Sequence, residues 1–144
     1  MKLSGTHKFN ASSVQVFNAI LNPEVLKASI PGANSVRYEN PNTLYVEITT
    51  SLPGLRGPYG LSLNIVRRQD PSDLELQLLR QGKGGSINAV AQISLVDEAD
   101  GALLTYNGNA ELEGPIAIAS NPLGQGIVKS SLSSFFKNLE KNIA

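Results

Sequence analysis

Apolar and polar residues alternate along most of this chain. Leu3, Gly5, His7 and Phe9 occupy one set of positions and Lys2, Ser4, Thr6 and Lys8 the other, which is the period of a strand with one buried face. Alternation resumes at Leu44, Val46 and Ile48, then at Tyr59, Leu61, Leu63 and Ile65, and again at Leu74, Leu76 and Leu78. Two more runs follow, Ile87, Ala89, Ala91, Ile93 and Leu95, then Leu104, Tyr106, Gly108, Ala110 and Leu112. A further strand is expected over 34–39, before the turn Asn40-Pro41-Asn42. Links of hairpin length at 70–73, 82–85 and 97–101 join the later runs, so the seven strands predict an antiparallel sheet.

Helical spacing replaces alternation in two places. After Asn10, Ala11, Ser12 and Ser13, which offer N-cap oxygens, Val14, Phe17 and Leu21 fall on one helical face. Asn22 and Pro23 restart the chain as cap and first helical residue, Val25 and Leu26 are expected to bury, and Ile30-Pro31-Gly32 ends this second short helix. Near the C-terminus Leu123, Ile127, Val128, Leu132, Phe135, Phe136, Leu139 and Ile143 form a long apolar stripe with Lys129, Lys137 and Lys141 outside it. Because a proline inside a helix costs about 3 kcal/mol, the expected layout is a short apolar turn from Pro115 and a main helix from Pro122. Gly124 and Gly126 weaken the first turn of that helix, so this end is expected to move.

Composition narrows the function classes. The 144 residues suit one domain with its own core. Formal net charge is zero and the 12 basic residues are scattered, which argues against a nucleic-acid surface. The absence of cysteine removes disulfides, thiolate nucleophiles and cysteine metal sites, and fits a cytoplasmic setting. The chain opens directly on a strand pattern, so no signal peptide is expected, and no apolar run reaches the ~20 residues of a membrane-spanning helix. A soluble protein with at most peripheral membrane contact is the expectation.

The inner strand faces carry little chemistry. Gly5, Ala89, Ala91, Gly108 and Ala110 are small, and opposite Leu132 and Phe135 they leave either close helix–sheet contact or a void. In the second case Tyr59, Leu61, Leu63, Leu76, Leu78, Ala89, Ala91, Ile93 and Tyr106 would line an apolar pocket with Tyr59 and Tyr106 as its polar tips. His7, the only histidine, shares the Leu3 and Phe9 face and is a candidate donor to a ligand oxygen, but no triad or metal-ligand set assembles around it. Gly82-Lys83-Gly84-Gly85 links two strands rather than a strand and a helix, so it reads as a hairpin loop, not a phosphate cradle. Leu52-Pro53-Gly54-Leu55-Arg56-Gly57-Pro58 is either a rigid turn packed on the sheet or the mouth of the pocket, with Leu55 and Arg56 meeting a partner or membrane surface. Glu47, Glu111 and Glu113 fall on the outer faces.

Strand, two short helices, six strands and one long apolar-faced helix is the order of the helix-grip fold, an α+β architecture in which a curved sheet wraps the last helix. In this order and spacing, the segments 1–5, 22–32, Gly57-Pro58, 82–85, Thr105-Tyr106 and Phe135-Phe136 resemble the CoxG family of carbon monoxide dehydrogenase proteins, within the START and Bet v 1-like superfamily. The likeness covers nearly the whole chain. Gly124-Gln125-Gly126 departs from the Gly-x-Arg common there, beside a short Ser120-Asn121-Pro122 insertion, and many members carry a linker and membrane-seeking tail beyond the part that resembles residues 1–144. The resemblance implies a small accessory protein of molybdenum hydroxylases, holding a quinone or lipid and serving maturation, electron transfer or membrane recruitment. It implies no covalently bound or metallic cofactor and no catalytic residues. A cyclase- or hydrolase-like enzyme using Tyr106 or His7, and a ligand-free adaptor, stay open as rivals because one fold hosts many functions.

Overall fold

The computed structural model describes residues 1–49 and 58–143. The element order is β1 (Lys2–Phe9), α1 (Ser13–Ile20), α2 (Pro23–Ser29), β2 (Ala33–Asn40), β3 (Thr43–Thr49), β4 (Pro58–Gln69), β5 (Asp73–Arg80), β6 (Ser86–Glu98), β7 (Gly101–Glu113), a 3₁₀ turn (Pro115–Ser120) and α3 (Pro122–Asn142). All seven strands pair antiparallel in one sheet, in the order β1-β7-β6-β5-β4-β3-β2. Only β1 and β7 pair across a long sequence gap, because the two helices and the other strands lie between them. This is the helix-grip arrangement, a curved sheet closed by α3.

Local chemistry sets the helix boundaries. Ser12 caps α1 through a capping box with Gln15, and the Asp97 carboxylate accepts from both the backbone N–H and the hydroxyl of Ser13 at 2.8 Å, tying the helix start to the end of β6. The buried face of α1 is Ser13, Val16, Phe17 and Ile20, whereas Val14 is exposed. Phe17 and Leu21 are buried as expected, and Val14 alone departs from the expected face, because the first turn is held by its polar cap rather than by an apolar anchor. Asn22 caps α2 and Asn121 caps α3, each followed by proline at the first helical position. The main last helix does start at Pro122. Its first turn differs from expectation in two ways: Leu123 is 75% exposed, and a Cβ on the buried Gly124 would lie 2.4 Å from the Ala119 Cα. Gly124 serves close packing against the 3₁₀ turn.

Register places the inward residues in rows across the sheet. Ala110, Ala89, Leu78, Leu63 and Leu44 stand opposite one another from β7 to β3, and Leu3, Gly108, Ala91, Leu76 and Ile65 from β1 to β4. In these rows small residues thus sit on β7 and β6, and branched ones on β5, β4 and β3. Phe9, Val16, Phe17, Leu74, Leu95, Leu104, Phe136 and Leu139 form the densely packed core between α1, one end of the sheet and the C-terminal half of α3.

Candidate functional site

Beyond that core the interior opens. An apolar cavity of about 300 Å³ lies between α3 and the inner sheet face, at the small end of the volumes that hold drug-sized ligands. The sheet contributes Leu61, Leu63, Leu76, Leu78, Ala91, Ile93 and the Tyr106 ring, and α3 contributes Leu132 and Phe135. The alternation of the strands and the stripe of the last helix single out all nine of these. Ile20, Leu26, Ile30, Pro31, Val46, Ile48, Ser131 and Phe136 complete the wall. Val46 and Ile48 are legible as one strand face, but nothing in the sequence says how far along a face a cavity extends. Ile20 ends α1, and Leu26, Ile30 and Pro31 come from α2 and the residues after it, where apolar residues fit equally well in a filled core.

Phe136 separates the hollow part of the interior from the filled part. Its ring centroid lies 5.3 Å from those of both Tyr106 and Phe135, on the cavity side. On the core side it lies 5.6 Å from His7 and 6.4 Å, edge to face, from Phe9. The cluster is possible because β1 carries a glycine opposite Tyr106: a Cβ on Gly5 would sit 2.8 Å from the tyrosine Oη. The Tyr106 ring walls the cavity while its hydroxyl lies over β1, away from the leucines of β4 and β5.

Three of the expected lining residues stand elsewhere. His7 belongs to the filled side, stacked on Phe136, with Nε2 3.3 Å from Glu140 Oε2, while the Asn10 N–H donates to the other oxygen of that carboxylate at 3.1 Å. The histidine thus joins β1 to α3 and does not reach the cavity. Ala89 is half-buried between Ala110 and Leu78 but outside the wall, which passes through Ala91 instead. Tyr59 lies beyond the cavity, where the Arg80 guanidinium sits over its ring at 4.8 Å. Leu55 and Arg56 lie outside the described residues.

Arg80 is absent from the residues expected at the site, although the signal for it is present. It continues the inward positions Leu74, Leu76 and Leu78 by one more step, so it has to point inward. Its Nη1 donates to the Gly60 carbonyl at 3.2 Å and its Nη2 to the Lys83 carbonyl, joining β4 to the glycine-rich loop after β5.

Two roomier depressions, of about 560 and 840 Å³, are bordered largely by polar and charged side chains such as Gln81, Asn88 and Glu113, or Asn18, Glu24 and Arg37. Among the described residues no three His, Asp or Glu side chains gather as a metal site, and no helix is long and apolar enough to cross a membrane.

Comparison with known proteins agrees with this architecture. A conserved protein from Geobacillus kaustophilus superposes with a TM-score of 0.90 at 22% identity, over 99% of this chain and 95% of that one. Ara h 8.0201 does so with 0.73 at 12% identity, over 99% and 97%, and an AHSA1-like protein from Aeromonas hydrophila with 0.67 at 13%, over 98% and 93%. At such identities the likeness is one of fold. No curated protein matches the chain. The family model for the CoxG subunit of carbon monoxide dehydrogenase matches residues 5–144, nearly the whole sequence, and the chain belongs to that family.

Proposed function

We propose that this protein is a non-catalytic carrier. It holds a lipophilic small molecule, a quinone or a lipid, between α3 and the sheet, and presents it to a molybdenum hydroxylase of the carbon monoxide dehydrogenase type at the cytoplasmic face of the membrane. The observation that carries this reading is the apolar cavity of about 300 Å³, whose wall has, among the described residues, only Ser131 and the Tyr106 ring as polar groups. A ligand there gains roughly 25 cal/mol per Å² of apolar surface removed from water. Among the described residues no acid–base pair faces the space, which favours carrying over conversion. The family name supports the choice of partner.

Ala91→Phe tests the reading, since Ala91 lines the cavity in the row between Gly108 and Leu76 and a phenyl ring there would occupy it. Native mass spectrometry with organic extraction, on protein from its own host, should find a near-stoichiometric lipophile on the wild type and none on the folded variant. A folded Ala91→Phe protein that keeps its ligand would overturn the cavity as the binding site.

A further inference from the structure

Two arginines of this sheet are provided for differently. Arg68, near the end of β4, uses its side-on fork fully: Nε donates to Asp70 Oδ1 at 2.9 Å and Nη2 to Oδ2 at 2.6 Å. Arg80, at the end of β5, has the same fork half filled. Its Nη2 is on the Lys83 carbonyl, while its Nε is buried and, alone among the buried side-chain nitrogens and oxygens of the described residues, has no hydrogen-bond partner. Nor does any carboxylate among the described residues pair with this guanidinium. Glu111 and Glu113 border the same outer depression as Arg80 without forming an ion pair to it.

Position gives the unfilled fork a meaning. Leu78, the preceding inward residue of β5, lines the cavity, and so does Leu61, beside the Gly60 carbonyl that Arg80 holds. Tyr59, under the guanidinium, pairs with Ile48, another wall residue. The cation therefore stands just past the end of the apolar floor, beside the cavity rather than in its wall. The guanidinium as a whole is half-exposed and partnered through Nη1 and Nη2, but its buried Nε–H, withdrawn from water without an acceptor, carries a desolvation cost of its own. The neutral carbonyls it does hold are weaker acceptors than a carboxylate.

We propose that the molecule held in the cavity is an amphiphile whose carboxylate head docks in the side-on fork of Arg80 while its chain fills the space under α3. This rests on the carrier reading above and narrows it to an acid-headed lipid. The head takes Nε and Nη2 together, as Asp70 does at Arg68, and Nη2 gives up the Lys83 carbonyl in exchange. Room for the exchange lies at Gly82, next to Lys83, where a Cβ would meet nothing nearer than Nη2 at 3.9 Å. Nη1 stays on Gly60 and keeps the fork in place.

Calorimetric titration of the full chain with decanoate and with decan-1-ol, which share a chain length and differ in the head, separates the possibilities. The wild type should bind decanoate about tenfold more tightly than the alcohol. Arg80→Met should bring the two to within about twofold by weakening decanoate alone. Arg80→Lys, which keeps the charge but loses the fork, should lose most of the preference. In the unmutated protein, the Arg80 Nε–H resonance should shift on saturation with decanoate and stay in place with the alcohol. Equal affinity for acid and alcohol in the wild type, or a preference that survives in Arg80→Met, overturns the docking of an anionic head and leaves the carrier reading standing. Failure of both compounds to bind overturns an acid-headed lipid as the cargo, while the carrier reading itself stands or falls on the lipophile extracted from the wild type.

Discussion

The two halves of the interior use the same kinds of residue to opposite ends. Around Phe9, Phe17, Leu104 and Leu139, each at most 1% exposed, side chains from α1, the sheet and α3 fill the space completely. Around Leu61, Leu78, Ala91 and Leu132 equally apolar side chains surround a void. What differs is what stands opposite α3. The filled half is covered by α1 as well as α3, and α1 is fixed by the Ser13–Asp97 bonds. In the hollow half α3 faces a floor that includes Ala91 and, next to it, Gly108, too short to reach it. Apolar composition alone therefore does not decide between core and container. Side-chain length opposite a helix does.

Removing the partition between the halves should have the largest effect. Phe136→Ala deletes a ring that touches His7, Phe9, Tyr106 and Phe135 together. A loss of about 3–5 kcal/mol is expected, read as a lower urea midpoint. A loss below about 1 kcal/mol would mean that the two halves are not mechanically joined through this ring.

A matched pair of truncations sharpens the contrast. Leu139 is fully buried in the filled half, and Leu139→Ala should cost about 2–5 kcal/mol. Leu132 lies about two turns earlier on α3, half-buried with its inward side on the cavity, so Leu132→Ala should cost about 1 kcal/mol or less. Ligand affinity should respond in the reverse order, falling for Leu132→Ala and holding for Leu139→Ala. Equal destabilisation by the two changes would contradict a hollow interior.

Much of this contrast is legible in the sequence, up to a definite point. Alternation at Leu74, Leu76 and Leu78 assigns those residues to the inner face, and carried one step further it assigns Arg80 there too. Periodicity fixes a face but not a depth along it, which is why it groups Ala89 and Tyr59 with Ala91 and Leu61. It also does not tell whether the first apolar residue after a cap is buried. Val14 and Leu123 both fall on an apolar stripe and both are exposed, at 52% and 75%, because a polar cap holds the one first turn and Gly124 packs the other against the 3₁₀ turn. For His7 the strand face alone suggests a ligand contact. Its partner Glu140 is 133 residues away on another element, and no local pattern announces such a pair.

The smallest expected effect concerns the tie that completes the filled half. The two Ser13 donors, the backbone N–H first and the hydroxyl second, hold the Asp97 carboxyl below the usual carboxylate range. A folded-state value below the unfolded one means that the contribution is present above the ordinary aspartate range and is lost as pH falls through it toward the folded value. Asp97→Ala should therefore lower the urea midpoint near about pH 7, and the gap from wild type should narrow as the solution approaches about pH 3. The group is exposed, so the shift should be modest, and a gap that stays constant with pH would mean that the bonds to Ser13 contribute nothing. The same variant gives an independent reading of the two halves. Because Asp97 fixes α1 at the filled end, affinity for decanoate should be unchanged even where stability is reduced; a parallel loss of affinity would show that the container depends on the packing of the core beside it.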